Sequence, residues 1–399
     1  MVTRTAPIRG TVADGFEPVL AAFRENVARR GELGAACAVY HRGECVVDLW
    51  GGYRDADRTE PWAADTLVLV FSTTKGVAAT TMAHAHAQGL FDYDDRVADH
   101  WPSFGVAGKR EVTVRQLLAH RAGVAAIDET LTPERIADRE NLTTLLAGKR
   151  PDWPPGERHG YHAWSLGWYE SELLQRTDPE GRTLGRYFAE ELAAPLDVEF
   201  YVGLPDDVAE ERVAAIEGFG LTDLLTSVDT FPPRLLLALA NPRSLSSRAL
   251  SPFAMSSPAE LNDPAYRSLE VPAGTGVGRV RDVARLYGLL ASDPASVGLD
   301  EETVAELRRP ARPPSGGARD VVLKTDTAYT AGFWKPTEGF AFGSPAAFGA
   351  PGAGGSFAFA DPARALGFAY APNRMGTHLW DDPRERALRD AVDDCLAAL

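Results

Sequence analysis

Cysteine is scarce. The 399 residues carry Cys37, Cys45 and Cys395 and no others. An odd count with no C-x-x-C spacing excludes a disulfide framework and a cysteine zinc site, and it points to reduced thiols in a cytoplasmic protein. No uncharged apolar run reaches the roughly 18 residues that a membrane helix needs. The first 30 residues mix Ala21-Ala22-Phe23 with Asp14, Glu17, Arg24, Glu25, Arg29 and Arg30, which is not the apolar region of a signal peptide. Positive charge is in deficit: 41 Lys and Arg against 56 Asp and Glu leave a net charge of −15. That balance argues against nucleic acid or an anionic membrane as partner. Lysine is rarer still, with five residues: Lys75, Lys109, Lys149, Lys324 and Lys335. There is no G-x-S-x-G elbow; Ala163-Trp164-Ser165-Leu166-Gly167 lacks the first glycine. His84 and His86 stand two apart on an expected helix and point in different directions, so no metal site is expected.

What is present suits a globular enzyme. Apolar residues make up 45% and charged residues 24%, enough for one large domain with a substantial core. Phe16, Leu20, Phe23 and Val27 recur at helical spacing over 13–30. Two β-type runs follow, Ala35–Tyr40 and Cys45–Trp50, joined by a turn at His41-Arg42-Gly43-Glu44. Ser72 to Gly89 and 112–122 read as helices. Residues 125–310 read as helix and loop without a strand pattern, and Pro/Ser-rich 230–275 reads as a long surface excursion. Helix returns at 280–291. Ala328–Trp334, Gly355–Ala360 and Ala365–Ala371 read as strands, and 383–398 as a closing helix. The fold class is therefore α+β. One antiparallel sheet is built from both ends (1–65 and 320–399) with terminal helices, and a mostly helical region (66–319) is inserted. The cleft between them is the expected site.

Ser72-Thr73-Thr74-Lys75 carries the chemistry. Residues three apart share one helical face, so Lys75 can reach the Ser72 hydroxyl. A serine hydroxyl needs a base before it attacks. An ordinary lysine, with a pKa of about 10.4, is neutral in only about one molecule in 2,500 at pH 7. Burial would correct that. Among the five lysines, Lys75 alone has Ser or Thr three positions before it.

Trp50-Gly51-Gly52, Val70-Phe71-Ser72-Thr73-Thr74-Lys75-Gly76 and Leu117-Leu118-Ala119-His120-Arg121-Ala122-Gly123 together resemble the serine β-lactamase-related esterases. These are the family VIII carboxylesterases, similar to class C β-lactamases and penicillin-binding proteins. Pro155-Gly156-Glu157-Arg158-His159-Gly160-Tyr161-His162-Ala163 resembles the segment bearing that family's tyrosine. Phe348–Ser356 resembles the strand across the cleft. The resemblance implies that Ser72 is acylated, that Lys75 and Tyr161 share general-base work, and that Tyr161 protonates the leaving group. It also implies that the N–H groups of Ser72 and Ala353 form the oxyanion hole. Ala350, Gly352, Gly354 and Trp164 would line the cleft.

Two positions depart from the family pattern. The third residue of the triplet that starts at the tyrosine is Ala163 rather than Asn or Ser. The sheet strand reads Ala350-Pro351-Gly352 instead of His-x-Gly or Lys-Thr-Gly, so a cation for a substrate carboxylate is missing there. Lys324-Thr325-Asp326 lacks the glycine and lies too early in the chain to replace it. The expected activity is a cofactor-free serine esterase acting on a small-molecule ester, thioester or amide. The alternatives are an acyltransferase using the same acyl-enzyme, a β-lactamase or D,D-peptidase, and a silent binding homologue. The oligomeric state is left open. His120 is expected to make a structural hydrogen bond in its turn. Gly274-Thr275-Gly276-Val277-Gly278 is expected to be a helix-entry loop beside the cleft.

Overall fold

The computed structural model describes residues 7–219 and 230–399; residues 220–229 of the expected helix-and-loop middle lie outside the described residues. In chain order, β1 (Ile8–Val12), α1 (Glu17–Arg29), β2 (Gly34–His41) and β3 (Glu44–Gly52) open the fold. β4 (Val68–Leu69), α2 (Thr74–Ala87), α3 (Ser165–Thr177), β5 (Phe200–Val202), β6 (Gly276–Gly278) and α4 (Val280–Ser292) follow. β7 (Tyr329–Thr330), β8 (Phe333–Trp334), β9 (Phe348–Pro351), β10 (Phe357–Asp361), β11 (Leu366–Pro372) and α5 (Pro383–Ala398) close it. The large sheet runs β1-β3-β2-β11-β10-β9-β8-β7, every pair antiparallel. Pairing of β2 with β11 joins the two ends of the chain at its centre.

Strand periodicity decides which helix covers which face. In β10, Phe357 and Phe359 alternate with Ala358 and Ala360; in β11, Leu366, Phe368 and Tyr370 alternate with Gly367, Ala369 and Ala371. The large residues share one core with Phe16, Val19 and Phe23 of α1 and Leu388 and Val392 of α5. Each buried phenylalanine there contributes about 1.5–3 kcal/mol. The small residues let α4 lie close on the opposite face, where a Cβ on Gly367 would sit 2.2 Å from the Gly288 nitrogen. α2 is buried on every side from Thr74 to Ala85, as a helix without an apolar stripe must be. Its Thr80 and Thr81 hydroxyls donate to the Gly76 and Val77 carbonyls at 2.8 and 2.9 Å, so no hydroxyl is left unpaired by that burial.

The β2–β3 turn has Arg42 and Gly43 both at positive φ, the geometry of a two-residue hairpin. The expected strand at 328–334 is two short strands, because Ala331 and Gly332 also take positive φ and turn the chain back. The middle does contain strands: β6 pairs with β4 on one side and β5 on the other in a second sheet. Segment 230–275 is not a detached excursion. It forms short helices at Pro233–Leu239, Leu245–Leu250 and Pro264–Arg267, and Ser246, Ala249 and Leu261 are buried. No helix among the described residues is long and apolar enough to cross a membrane.

Candidate active site

Ser72 lies on a strained turn. β4 runs through Val70 into a 3₁₀ turn, Phe71–Thr73, and α2 begins directly after it. Phe71 has φ +49°, a region that a bulky L-residue adopts only under constraint. The constraint comes from both sides. Val70 N–H donates to the Gly276 carbonyl and Gly276 N–H donates to Thr74 Oγ1, both at 2.9 Å. From the large sheet, the Ser356 hydroxyl donates to the Val70 carbonyl at 2.7 Å, and the Thr73 hydroxyl donates to Ser356 Oγ at 3.1 Å. The Gly274–Gly278 run is thus a clasp around the turn; it leads into a helix as expected, α4 starting at Val280, but its last three residues form strand β6. Its glycines follow from packing. A Cβ on Gly274 would lie 2.4 Å from the Trp164 ring, on Gly276 2.4 Å from Phe200, and on Gly278 2.3 Å from Phe200.

Lys75 is 1% exposed. Its Nζ donates to the carbonyls of Ala163 and Ala273 at 2.6 and 2.7 Å and lies 3.0 Å from Ser72 Oγ. Burial pushes its pKa down to about 7, against a smaller pull from Glu170. With two N–H groups held by carbonyls, the remaining position on the nitrogen faces Ser72, and in the neutral amine that position is the lone pair. The Tyr161 ring centroid is 4.8 Å from Nζ. Burial also drives the Tyr161 phenol well above its ordinary range, while the Ser72 hydroxyl and Trp334 indole beside it pull the other way. Tyr161 is fixed at its backbone: its N–H donates to the buried Asp320 carboxylate at 3.3 Å, and Asp320 also accepts from the Tyr329 hydroxyl at 2.9 Å. The Tyr329 ring lies nearly parallel to that of Tyr161. His120, fully buried between Tyr161 and Tyr329, has neither ring nitrogen hydrogen-bonded among the described residues; the hydrogen bonds of its turn are made by its backbone, from its N–H to the Leu117 carbonyl and from Gly160 N–H to its carbonyl, both at 3.0 Å. Burial holds its imidazole well below the usual range.

Across the cleft, β9 ends in a second 3₁₀ turn, Ala353–Gly355. The leading N–H groups of such turns have no partner within the turn. Those of Ser72 and Ala353 therefore stay available, and both residues line one cavity. The turn is braced from behind: Gly376 N–H and the Arg384 guanidinium both donate to the Gly354 carbonyl at 2.9 Å. Arg384 is buried and paired with Glu32 and Asp382.

The cavity at Ser72 has two lobes, of about 240 and 360 Å³, which share Phe71, Trp164, Leu250 and Ala353. One reaches Tyr161, Leu323, Trp334 and Trp380; the other reaches Phe219, Phe253, Met255 and Met375. Trp164 and Gly354 line the cleft as expected. Ala350 and Gly352 do not. Side chains alternate along β9, so Ala350 faces α2 beside Gly76, and Pro351 is the residue that meets the cavity. Gly352 is turned to the nucleophile turn, where a Cβ would lie 2.2 Å from Ser356 Oγ. Among the described residues no Lys, Arg, Asp or Glu lines either lobe. Lys324 donates to the Val321 carbonyl, and Thr325 and Asp326 line a different, larger cavity beside His159 and Arg312 that holds no serine or lysine. Among the described residues no His, Cys, Asp and Glu group could hold a metal.

Comparison with known proteins agrees with this arrangement. The Beta-lactamase family model matches residues 19–393. The chain is 32% identical over 374 residues to esterase/beta-lactamase LipL of Mycobacterium tuberculosis, covering 92% of this chain and 83% of that one. Among solved structures, a family VIII carboxylesterase superposes with a TM-score of 0.81 at 36% identity, covering 98% of this chain and all of that one. A penicillin-binding protein homologue from Caulobacter crescentus superposes with a TM-score of 0.82 at 33% identity, with the same coverage. The matched span runs from α1 to α5 and takes in the Ser72 turn, Lys75, Tyr161 and the Ala353 turn, and the chain belongs to the β-lactamase family of serine hydrolases.

Proposed function

We propose that the protein is a serine carboxylesterase that works through an acyl-enzyme on Ser72. The observation that carries this reading is the buried Lys75 amine, 3.0 Å from Ser72 Oγ with its N–H groups already held by two carbonyls. Neutral Lys75 takes the Ser72 proton as Oγ attacks the ester carbonyl. The N–H groups of Ser72 and Ala353 receive the developing oxyanion, a contribution of roughly 3–4 kcal/mol per donor. Collapse breaks the bond to the alkoxide, and Tyr161 passes it a proton that is replaced from Lys75. Water then attacks the acyl-enzyme by the same route in reverse.

The lobes assign the two halves of the substrate. The leaving oxygen must reach the Tyr161 hydroxyl, so the alcohol sits in the Trp334–Trp380 lobe and the acyl group beside Phe253 and Met255. Walls that carry no Lys, Arg, Asp or Glu among the described residues favour uncharged, apolar esters and disfavour β-lactams, whose carboxylate would be buried unpaired. The free thiols at Cys37, Cys45 and Cys395 fit a reducing cytoplasm.

The test is turnover of short p-nitrophenyl esters and of a cephalosporin by the wild type and Ser72→Ala. Ester hydrolysis lost in the variant supports the reading. A mass adduct on Ser72 that is discharged only by added amine or alcohol makes the protein an acyltransferase. No adduct from any ester, lactam or fluorophosphonate refutes an acyl-enzyme.

A further inference from the structure

Glu170 has no place in the sequence of steps above, yet it is fully buried, and neither carboxylate oxygen has a hydrogen-bond partner among the described residues. A buried, unpaired carboxylate costs several kcal/mol unless something nearby uses its charge. It stands on α3, nine positions after Tyr161, at the side that packs on α2. Its Oε1 lies 3.6 Å from the point where a side chain on Gly332 would begin, and that same point lies 2.7 Å from Ala79 Cβ. Ala79 is one helical turn beyond Lys75 on α2, on the same face.

The other titratable groups around α3 are turned elsewhere. His84 meets the Tyr187 hydroxyl, Glu172 pairs with Arg176, and His120 stacks against Tyr161 and Tyr329. Lys75 is the charge that acts on Glu170, and Glu170 the one that acts on Lys75. Burial raises the Glu170 carboxyl to about 8 and lowers the Lys75 amine to about 7, so both change charge in the same narrow range.

We propose that Glu170 is a positioning residue that acts through Lys75: its ionised carboxylate stabilises the ammonium formed when Lys75 takes the Ser72 proton. No bond to carbon is made or broken by Glu170. The proton moves from Ser72 Oγ to Lys75 Nζ, and the negative charge on α3 balances the positive charge that appears on α2. The proposal rests on Lys75 being the base for Ser72.

Two measurements test it. In Glu170→Gln, the amine loses its counter-charge. Above about pH 8, where the wild-type carboxyl is ionised, kcat/KM then falls about tenfold or more, and below pH 7 the two proteins converge. Glu170→Asp restores part of the loss. A folded Glu170→Gln that keeps the wild-type rate above pH 8 overturns the proposal. The second measurement needs no turnover. With five lysines in the chain, ¹³C-lysine NMR resolves Lys75 in the unaltered protein, identified by its loss in Lys75→Met. A Lys75 titration with two inflections, the second from Glu170, is the expected result. A single simple titration curve overturns the proposal even if Glu170→Gln does not fold. Loss of ester turnover in the wild type with a two-step Lys75 titration would refute the esterase reading and leave the pairing standing.

Discussion

Lys75 Nζ donates to the backbone carbonyl of Ala163 at 2.6 Å. The contact is made to the main chain, which any residue type supplies. The lysine is therefore held in place although residue 163 has only a methyl group. On the proposed mechanism Lys75 is neutral when it accepts the Ser72 proton, and its neutral fraction rises as pH passes about 7. We expect kcat/KM to fall about tenfold per unit below that pH and to level off above it, measured with an ester whose own ionisation is constant. Lys75→Met should lose about 10²–10⁴-fold.

Ser72→Ala should lose at least ~10⁴-fold in kcat/KM while leaving the melting temperature within a degree or two of wild type. Loss of fluorophosphonate labelling by mass spectrometry checks the assignment of the nucleophile.

Gly276→Ala tests the clasp around the nucleophile turn. The added Cβ would stand 2.6 Å from Thr74 Oγ1 and 2.4 Å from Phe200. We expect about 1–3 kcal/mol of lost stability by urea denaturation, together with a lower kcat as the Ser72 turn shifts.

Arg384→Met removes the brace behind the Ala353 turn and leaves Glu32 and Asp382 buried without their cation. The expected cost is about 3–5 kcal/mol. In the fraction that folds, kcat should fall with KM little changed, because on the proposed mechanism the brace positions a donor used in the transition state.

Glu170 makes the folded protein less stable in alkali. A carboxyl raised from its ordinary 4.5 to about 8 binds more proton when folded than unfolded, so its contribution is complete below 4.5 and is lost as pH rises through 8. At pH 9, where Lys75 is neutral in either protein, Glu170→Leu should melt at a higher temperature than wild type by calorimetry. At pH 4 the gap should close. A stabilised but slower enzyme is the expected exchange at such a site.

The contact of Ser72 with Lys75 was legible because helical spacing places residues 72 and 75 on one face whatever surrounds them. The sheet from both chain ends was legible because β10 and β11 alternate large and small residues without a break. β5 and β6 were not. Three residues give no period, and Gly276-Val277-Gly278 has the composition of a loop; its strand character comes from Phe200 and Thr74, which are distant in sequence. Ala350 was misplaced because the face of a strand residue depends on its register, and the register was fixed by Ala358 across the ladder. Glu170 was invisible as one acid among many, since burial is set by packing of α3 on α2 and not by its own neighbours in sequence.

The central pairing of β2 with β11 has a consequence for synthesis. Residues 34–41 leave the ribosome more than 300 residues before their partner, Leu366–Pro372, exists. Until then β2 is an open sheet edge, and such edges recruit other chains. The Ser356 staple and the Ala353 turn also come late. A nascent or truncated chain that already contains Ser72, Lys75 and Tyr161 thus lacks both the hydrogen bond that braces the Ser72 turn and the far wall of the cleft.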